Sequence, residues 1–331
     1  MNPGAGRLRN GLHPDPLEAG LPDESSWPPR QRHAAASDAM VHFRAALTLA
    51  PDQGIRESIL DDLSTYFGLP AEECVRRCRE WEQWSVREWS ARPRQTAADL
   101  RDFYLTTASW CFDLLWYAYL QAEGYAYPVS VAAAAWLPES ERAGSHLDFG
   151  SGAGVTAQLF QRLGYETDLA DVSTSLLQFA HWRLERRGVR ARYIDLNVSR
   201  LPGHAYDVVT AIDTLVHVPD VSHTVRELHR ALKPAGILFA NFDVRPPTPE
   251  NAWHLYSDDL PLRWVLQRTG FEPITSLDGM ITAYRKVDPS GVAHQLRGVR
   301  DLVALRSPLR PAYRFLQGES GRLRENAERR R

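Results

Sequence analysis

The chain has 331 residues but almost no lysine, although it is rich in arginine. Its lysines are Lys233 and Lys286, and arginine supplies the rest of the 39 basic side chains. A Schiff base to a carbonyl substrate or to pyridoxal phosphate requires a lysine amine in the site. Because Lys233 lies in a loop pattern and Lys286 ends a predicted strand, the sequence disfavours pyridoxal phosphate chemistry.

Cysteine is also scarce, with three residues in the chain. Cys74 and Cys78 lie one helical turn apart in a predicted helix, and Cys111 stands by itself. A structural zinc site needs more ligands at characteristic spacings than this set supplies. We therefore expect three small buried side chains, no metal site, and a protein of the reducing cytoplasm.

Net charge and long apolar runs are lacking as well. The formal net charge of −2 at pH 7 gives no long-range attraction for nucleic acid, so no nucleic-acid partner is expected. No apolar stretch reaches the length of a membrane span, and the first residues show no charged-then-apolar signal pattern. We therefore expect no membrane partner, while an apolar content of 44% suffices for a full core.

The two ends of the chain differ in composition from the part between them. Residues 1–36 are rich in proline and glycine and poor in large apolar side chains, which predicts disorder. Residues 288–331 are rich in arginine, and a charge run of this kind is usually a solvated face. We expect a helical appendage there, with no nucleic acid implied.

One glycine-rich turn carries the strongest functional signal, in the stretch HLDFGSGAGVT over residues 146–156. An apolar run ends at Asp148, and Gly150, Gly152 and Gly154 follow at alternate positions, which predicts a strand, a tight turn and a helix. Glycine is required where the backbone adopts positive φ or closely approaches a ligand, and N–H groups at a helix start suit a polar ligand. The stretch therefore predicts a nucleotide-type site.

The spacing of these glycines resembles a known family motif. It differs from the dinucleotide pattern G-x-G-x-x-G, because Val155 stands at the third glycine position. The pattern D-x-G-x-G-x-G resembles the first motif of the class I methyltransferases that depend on S-adenosylmethionine (SAM), and the resemblance covers about residues 144–287. It implies SAM as the cofactor and assigns its binding to the residues of this turn, namely Asp148, Gly150, Ser151, Gly152 and Gly154.

The resemblance also implies the fold. We expect an α/β, Rossmann-like sheet of seven strands, mostly parallel with an antiparallel last strand, and an N-terminal helical cap. The alternation of strand and helix patterns independently indicates a mostly parallel sheet with helices on both faces. The predicted segments are a disordered stretch at 1–36, a helical cap or lid at 37–138, a SAM-binding domain at 139–287 and the appendage at 288–331.

Acidic residues end the next two predicted strands. The resemblance assigns Asp171, followed by Val172, to the ribose, since a carboxylate at a strand end can accept both hydroxyls. An alternative is that Asp171 or Ser173 caps the following helix, and both roles can hold at once. By the same resemblance Asp195 receives the adenine amino group and Leu196 presses on the ring.

The loop after the fourth predicted strand offers further candidates. The resemblance places Asp213 in the cofactor site, and His217 is the best-placed general base because ligand pockets open at such strand ends. A structural role for His217 remains the alternative. Relatives often carry Glu-His-Val here, whereas this chain has Val216 before His217, so an acid near the methionine end is missing.

Helical patterns precede the predicted sheet, over Ile55–Phe67, Pro70–Ser90 and Gln95–Gly124. Phe112, Trp116 and Tyr119 share one face of the third helix, which favours packing against the sheet. An aromatic ring can also contact a cation such as the SAM sulfonium, and Tyr104 is the candidate because its hydroxyl can orient a reactant.

Three functions follow from this sequence. The first is a SAM-dependent methyltransferase acting on a small molecule, in bacterial secondary metabolism. The second is a cyclase of the same fold that uses SAM as its sole substrate, forms a small-ring amino acid and releases methylthioadenosine. The third is a SAM-binding protein without catalysis. The fold alone does not choose between them, and a homodimer is left open.

Overall fold

A computed structural model describes residues 37–93, 96–107, 109–138, 143–244, 248 and 253–290. The predicted disordered segment at 1–36 and nearly all of the appendage predicted at 288–331 lie outside the described residues. Within them, no helix has the length and apolar character that crossing a bilayer requires.

The N-terminal part of the described chain is helical. Its helices are α1 (Asp38–Leu47), α2 (Ile55–Phe67), α3 (Ala71–Arg79), α4 (Trp81–Ser90), α5 (Ala97–Thr106), α6 (Trp110–Ala122) and α7 (Val129–Trp136). Local sequence explains the ends of α2, because Glu57 accepts a hydrogen bond from the N–H of Gly54 and Gly68 ends the helix with a φ of +64°.

Strands and helices then alternate. They are β1 (Ser145–Phe149), α8 (Val155–Arg162), β2 (Glu166–Asp171), α9 (Thr174–Glu185), β3 (Arg192–Asp195), β4 (Tyr206–Ala211), a short 3₁₀ turn (Leu215–His217), α10 (Val221–Ala231), β5 (Leu232–Ala240), α11 (Leu260–Thr269), β6 (Phe271–Leu277) and β7 (Ile281–Lys286). The alternation predicted from the sequence is confirmed.

The strands form one seven-stranded sheet in the order β3-β2-β1-β4-β5-β7-β6. The pairs from β3 to β5 are parallel, and β7 is antiparallel to both of its neighbours. The predicted mostly parallel sheet with an antiparallel last strand is therefore correct. The strand order reverses between β1 and β4, and open α/β sheets bind ligands at the carboxyl ends of the strands at such a reversal.

The N-terminal helices pack on the sheet and its helices. A single apolar core joins Phe43 of α1 and Leu115 of α6 to Phe160 of α8, Phe179 of α9 and Phe239 of β5, all of them buried. Phe112, Trp116 and Tyr119 belong to the same core, as their shared helical face predicts. Burial of this much aromatic and aliphatic surface is the main favourable term for docking these helices.

Two predicted helices are interrupted, which corrects the prediction. The stretch predicted as one helix over Gln95–Gly124 forms α5 and α6 as separate helices, and α3 and α4 divide the stretch predicted over Pro70–Ser90. At the first break Thr107 is extended, and the Thr106 and Thr107 hydroxyls donate to carbonyls four residues earlier at 2.8 and 2.7 Å. Hydroxyl bonds of this kind slightly destabilise a helix and often bend it. Tyr104 and Phe112 consequently lie on different helices.

Candidate cofactor and active site

The glycine loop connects β1 to α8 and requires glycine for steric reasons. The φ angle is +72° at Gly150 and +51° at Gly152, in the left-handed region. The N–H of Gly150 donates to the carbonyl of Ala170 at 2.8 Å, which holds the loop against β2. A Cβ atom at Gly150 would lie 2.4 Å from the Thr214 side chain, so no other residue fits there unless that side chain moves.

The fit of Gly150 leads to a first prediction. Gly150→Ala should lower the free energy of unfolding by about 1–3 kcal/mol through overpacking, in addition to the strain of a positive φ, and should weaken SAM binding. Gly188→Ala is the matched control, because Gly188 has a φ of +65° but no atom lies within 4 Å of the position that its Cβ would take. Urea unfolding and calorimetric titration of both variants test this. Equal losses of stability would show that the contact with Thr214 does not matter.

Asp148 lies at the end of β1 and fastens the start of α8. It is buried, and its Oδ2 accepts from the N–H of Ala157 at 3.0 Å while its Oδ1 accepts from the Thr210 hydroxyl at 2.9 Å. Burial raises the pKa of Asp148 to about 7, although both hydrogen bonds oppose the shift. Asp148 therefore joins β1, α8 and β4 beneath the loop.

Asp171 holds the glycine loop from β2. Its Oδ2 accepts from the N–H of Gly152 at 2.9 Å and its Oδ1 from the N–H of Ser173 at 2.8 Å. Burial is the largest cause of the raised pKa of Asp171. The Ser173 hydroxyl, in turn, accepts from the N–H of Leu176 and caps α9. The capping role considered for these two residues thus belongs to the Ser173 side chain, while Asp171 faces the loop.

Asp195 lies beside Asp171 at the carboxyl edge, because the two residues are register partners in the β2–β3 pair. Its Oδ1 accepts from the backbone N–H of Asn197 at 2.8 Å, and its Oδ2 accepts from the Thr174 hydroxyl at 3.1 Å. Val172 is 41% exposed. Leu196 is partly buried, and its N–H donates to the carbonyl of Asp171. The structure brings the predicted adenine and ribose residues together.

Asp213 begins the loop after β4 and has a partner that the sequence analysis missed. Its φ is +50°, and its N–H donates to the side-chain oxygen of Asn241 at 2.7 Å. The Asn241 side chain donates back to the Asp213 carboxylate, and Asn241 is buried at the end of β5. Asn241 is a polar residue directly after an apolar strand, and this position was the sequence feature that could have identified it. This pair fixes the loop that carries His217.

Helices α5 and α6 lie over the glycine loop. A Cβ atom at Gly152 would lie 2.7 Å from Leu114 of α6. Tyr104 of α5 and Tyr117 of α6 are only partly buried as whole side chains, yet burial is the largest cause of the raised pKa of each hydroxyl. The charge of Asp171 adds to the shift in the pKa of Tyr104, and that of Asp213 to the shift of Tyr117. The two tyrosines thus lie on the helices that cover the glycine loop.

His217 lies in the 3₁₀ turn after β4, at the opening predicted for the acceptor. Its Nδ1 is 2.9 Å from the carbonyl of Trp253, and its ring lies edge-on to that of His254 with centroids 4.7 Å apart. Since a carbonyl only accepts, Nδ1 is the donor and the basic nitrogen of neutral His217 is Nε2.

An aromatic cluster links the two predicted catalytic residues. Tyr104 contacts Phe103 with ring centroids 5.5 Å apart, Phe103 contacts Trp89 at 4.9 Å, and Trp89 contacts Trp253 at 6.3 Å. Trp253 accepts the hydrogen bond of His217. The structure thus places Tyr104 and His217 at opposite ends of one packed cluster.

Comparison with known proteins identifies this arrangement. A family model described as a methyltransferase domain matches residues 147–240, which include the glycine loop, Asp171, Asp195 and the loop after β4. Residues 147–240 of this chain therefore match the methyltransferase domain family. The predicted family and its cofactor, SAM, are therefore confirmed.

Curated relatives of the methyltransferase domain include ubiquinone biosynthesis O-methyltransferases from Yersinia pestis (strain Pestoides F) and Yersinia pseudotuberculosis (serotype O:1b, strain IP 31758). Each is 35% identical over 97 residues, which cover 28% of this chain and 40% of the relative. The chain thus matches less than half the length of these relatives.

Similar solved structures include a 1,6-didemethyltoxoflavin-N1-methyltransferase from Burkholderia thailandensis, at 20% identity and a TM-score of 0.43, covering 59% of this chain and 92% of that one. Another is a SAM-dependent methyltransferase from Mesorhizobium loti, at 20% identity and a TM-score of 0.38, covering 47% of this chain and 96% of that one.

The residues of the methyltransferase domain fit SAM. The Ser151 hydroxyl in the loop is buried and has no hydrogen-bond partner among the residues that the structure describes, which suits a polar ligand. The loop leaves no room for side chains at Gly150 and Gly152, and two carboxylates lie side by side at Asp171 and Asp195. The assignment of each residue to a part of SAM stays a prediction.

Proposed function

We propose that the chain is a SAM-dependent methyltransferase that acts on a small molecule in secondary metabolism. The observation that carries the proposal is the convergence of the glycine loop, Asp171, Asp195 and Asp213 beneath α5 and α6. In this proposal residues 37–138 form a cap on the SAM-binding domain at 139–287. The Ser175 hydroxyl supports the closed arrangement, because it donates to the carbonyl of Thr107 at 2.9 Å and ties α9 to the end of α5.

The chain's own residues have distinct roles in this proposal. Asp195 and Leu196 hold the adenine, Asp171 holds the ribose, and the glycine loop and Asp213 hold the methionine part. When bound, SAM supplies an electrophilic methyl group on a cationic sulfur. The cap excludes water and orients the acceptor, an effect that contributes about 7–11 kcal/mol in favourable cases. His217 Nε2 takes the proton that the acceptor loses.

A cyclase that uses SAM alone is the second candidate. It is favoured by Leu114 against the glycine loop and by Tyr104 and Tyr117 on the two helices over that loop, where the charges of Asp171 and Asp213 add to the raised pKa values of their hydroxyls. In this alternative the two phenols hold the aminocarboxypropyl chain folded on itself. The products are a small-ring amino acid and methylthioadenosine.

Incubation of the protein with SAM alone distinguishes the candidates. We expect mass spectrometry to find SAM bound and intact, and addition of the correct acceptor from a small-molecule screen to release S-adenosylhomocysteine. His217→Gln should slow that release by about 10²–10⁴-fold, the usual contribution of a general base. Methylthioadenosine above an enzyme-free control would establish the cyclase instead. Absence of SAM binding in calorimetry would overturn both catalytic proposals.

A further inference from the structure

A fully buried histidine lies beneath the cofactor loop. His146 of β1 has no exposed surface, and its ring stacks on Phe160 of α8 with centroids 3.9 Å apart and planes 13° apart. Central strands of parallel sheets are normally apolar on both faces, so a histidine here needs an explanation. Burial lowers the pKa of His146 to about 3, so the ring is neutral at physiological pH.

Hydrogen bonds connect His146 to the cofactor loop through one threonine. His146 Nε2 is 3.0 Å from Thr210 Oγ1, and the Thr210 hydroxyl is 2.9 Å from Asp148 Oδ1. An ionised carboxylate only accepts, so the single hydroxyl proton of Thr210 goes to Asp148. The oxygen of Thr210 must then accept from His146 Nε2–H, and this fixes the tautomer of the ring. His146 Nδ1, at 3.4 Å from Thr167 Oγ1, accepts on the other side.

Asp148 connects the His146–Thr210 hydrogen bonds to the cofactor loop. Its Oδ2 accepts from the N–H of Ala157 in the first turn of α8, where a negative charge is favoured by the helix dipole. An ionised Asp148 therefore holds the start of α8, and with it the loop that binds the cofactor. The neighbouring carboxyl group of Asp171 on β2 disfavours the ionisation of Asp148. On the other side of the relay, the Tyr165 ring lies edge-on to the His146 ring.

We infer that His146 is a positioning residue that orients the Thr210 hydroxyl toward Asp148, keeps Asp148 ionised, and thereby sets the lower pH limit of SAM binding. The inference rests on the proposed cofactor site for its functional part, although the relay itself does not depend on a ligand. Chains of hydrogen bonds polarise one another, so removing the first donor weakens the bond that reaches the carboxylate.

The direction of the pH effect follows from the chemistry. Hydrogen bonds to the charged form lower a carboxyl pKa, so loss of the relay raises the pKa of Asp148 from its value of about 7. SAM carries a sulfonium cation, and its site should be strongest when Asp148 is ionised. SAM affinity should therefore fall as the pH drops through the pKa of Asp148. A rise of one unit would cut the ionised fraction at pH 7 by about fivefold.

The test is a carbon-13 NMR titration of the Asp148 carboxyl group in the full chain, together with SAM affinity measured against pH. We expect Thr210→Val to raise the titration midpoint by about one pH unit and His146→Leu by about half a unit. His146→Gln keeps a side-chain N–H donor, so its titration midpoint should lie closer to that of the wild type than the midpoint of His146→Leu. The pH at which SAM affinity halves should move by the same amounts.

Phe160→Leu is the matched control for a purely structural role. It removes the ring stacked on His146 and should lower the unfolding temperature while leaving the Asp148 midpoint in place. Unchanged midpoints in both Thr210→Val and His146→Leu would overturn the inference. If His146→Leu does not fold, nitrogen-15 NMR of the wild-type imidazole decides, because an Nδ1–H tautomer contradicts the relay. A wild-type chain that binds no SAM would overturn the proposed function. The titration of Asp148 would still show whether His146 and Thr210 lower its pKa.

Discussion

Asp171→Ala is expected to weaken SAM binding at least tenfold, which corresponds to about 1.4 kcal/mol. The carboxylate accepts from Gly152 N–H at 2.9 Å and from Ser173 N–H at 2.8 Å, so its removal releases the loop as well as the predicted ribose acceptor. Loss of partners for two buried N–H groups adds about 1–3 kcal/mol of destabilisation for each group. Asp171→Ala should therefore lower both the SAM affinity and the free energy of unfolding.

Asp168→Ala provides the control for Asp171→Ala. Asp168 lies on the same strand, three residues earlier, but it pairs with Arg192 and accepts from the Tyr206 hydroxyl at 2.6 Å, away from the carboxyl edge. We expect its SAM affinity to equal that of the wild type in calorimetry at matched pH. An Asp171→Ala protein that folds and binds SAM as tightly as the control would contradict the assignment of Asp171 to the cofactor.

Regular alternation made the sheet predictable. Strand and helix patterns from Asp148 to the last strand are local, and each was recognisable from apolar runs bounded by glycine or acidic residues. Gly150, Gly152 and Gly154 all adopt positive φ, the conformation for which glycine was predicted to be required at these positions. The fold of the methyltransferase domain was therefore available from the sequence.

The sequence did not predict where α5 ends or which distant residues would contact each other. Helix periodicity continues through Thr106 and Thr107, so it could not show that the backbone becomes extended at Thr107 and ends α5 there. Asn241 and Asp213 are 28 residues apart and meet only because β4 and β5 are adjacent. His146 likewise became informative only when β4 placed Thr210 beside it.

A buried cluster of charges, which no local pattern could reveal, also connects the N-terminal helices to the rest of the fold. Asp62 of α2 is completely buried, and Arg183 Nε, Arg186 Nη1 and Arg187 Nη2 lie 3.3, 2.7 and 2.7 Å from its carboxylate oxygens. These arginines lie more than 120 residues later in the chain, on α9 and directly after it. Arg183 also donates to Gln158 of α8 and to the carbonyl of Ala46, so one buried network joins both parts of the molecule.

Asp62→Ala is expected to lower the free energy of unfolding by about 3–5 kcal/mol, because removing one partner leaves buried guanidinium groups without their counter-charge. Urea unfolding measures this effect, and hydrogen exchange should rise most in α1 and α2. Asp61→Ala is the control, since Asp61 pairs with Arg186 at 2.7 Å but has 41% of its side chain exposed. An exposed pair contributes about 0–1 kcal/mol. Equal losses in the two variants would mean that apolar packing, with Phe43 and Leu115 in the shared core, holds the helices in place without the buried charges.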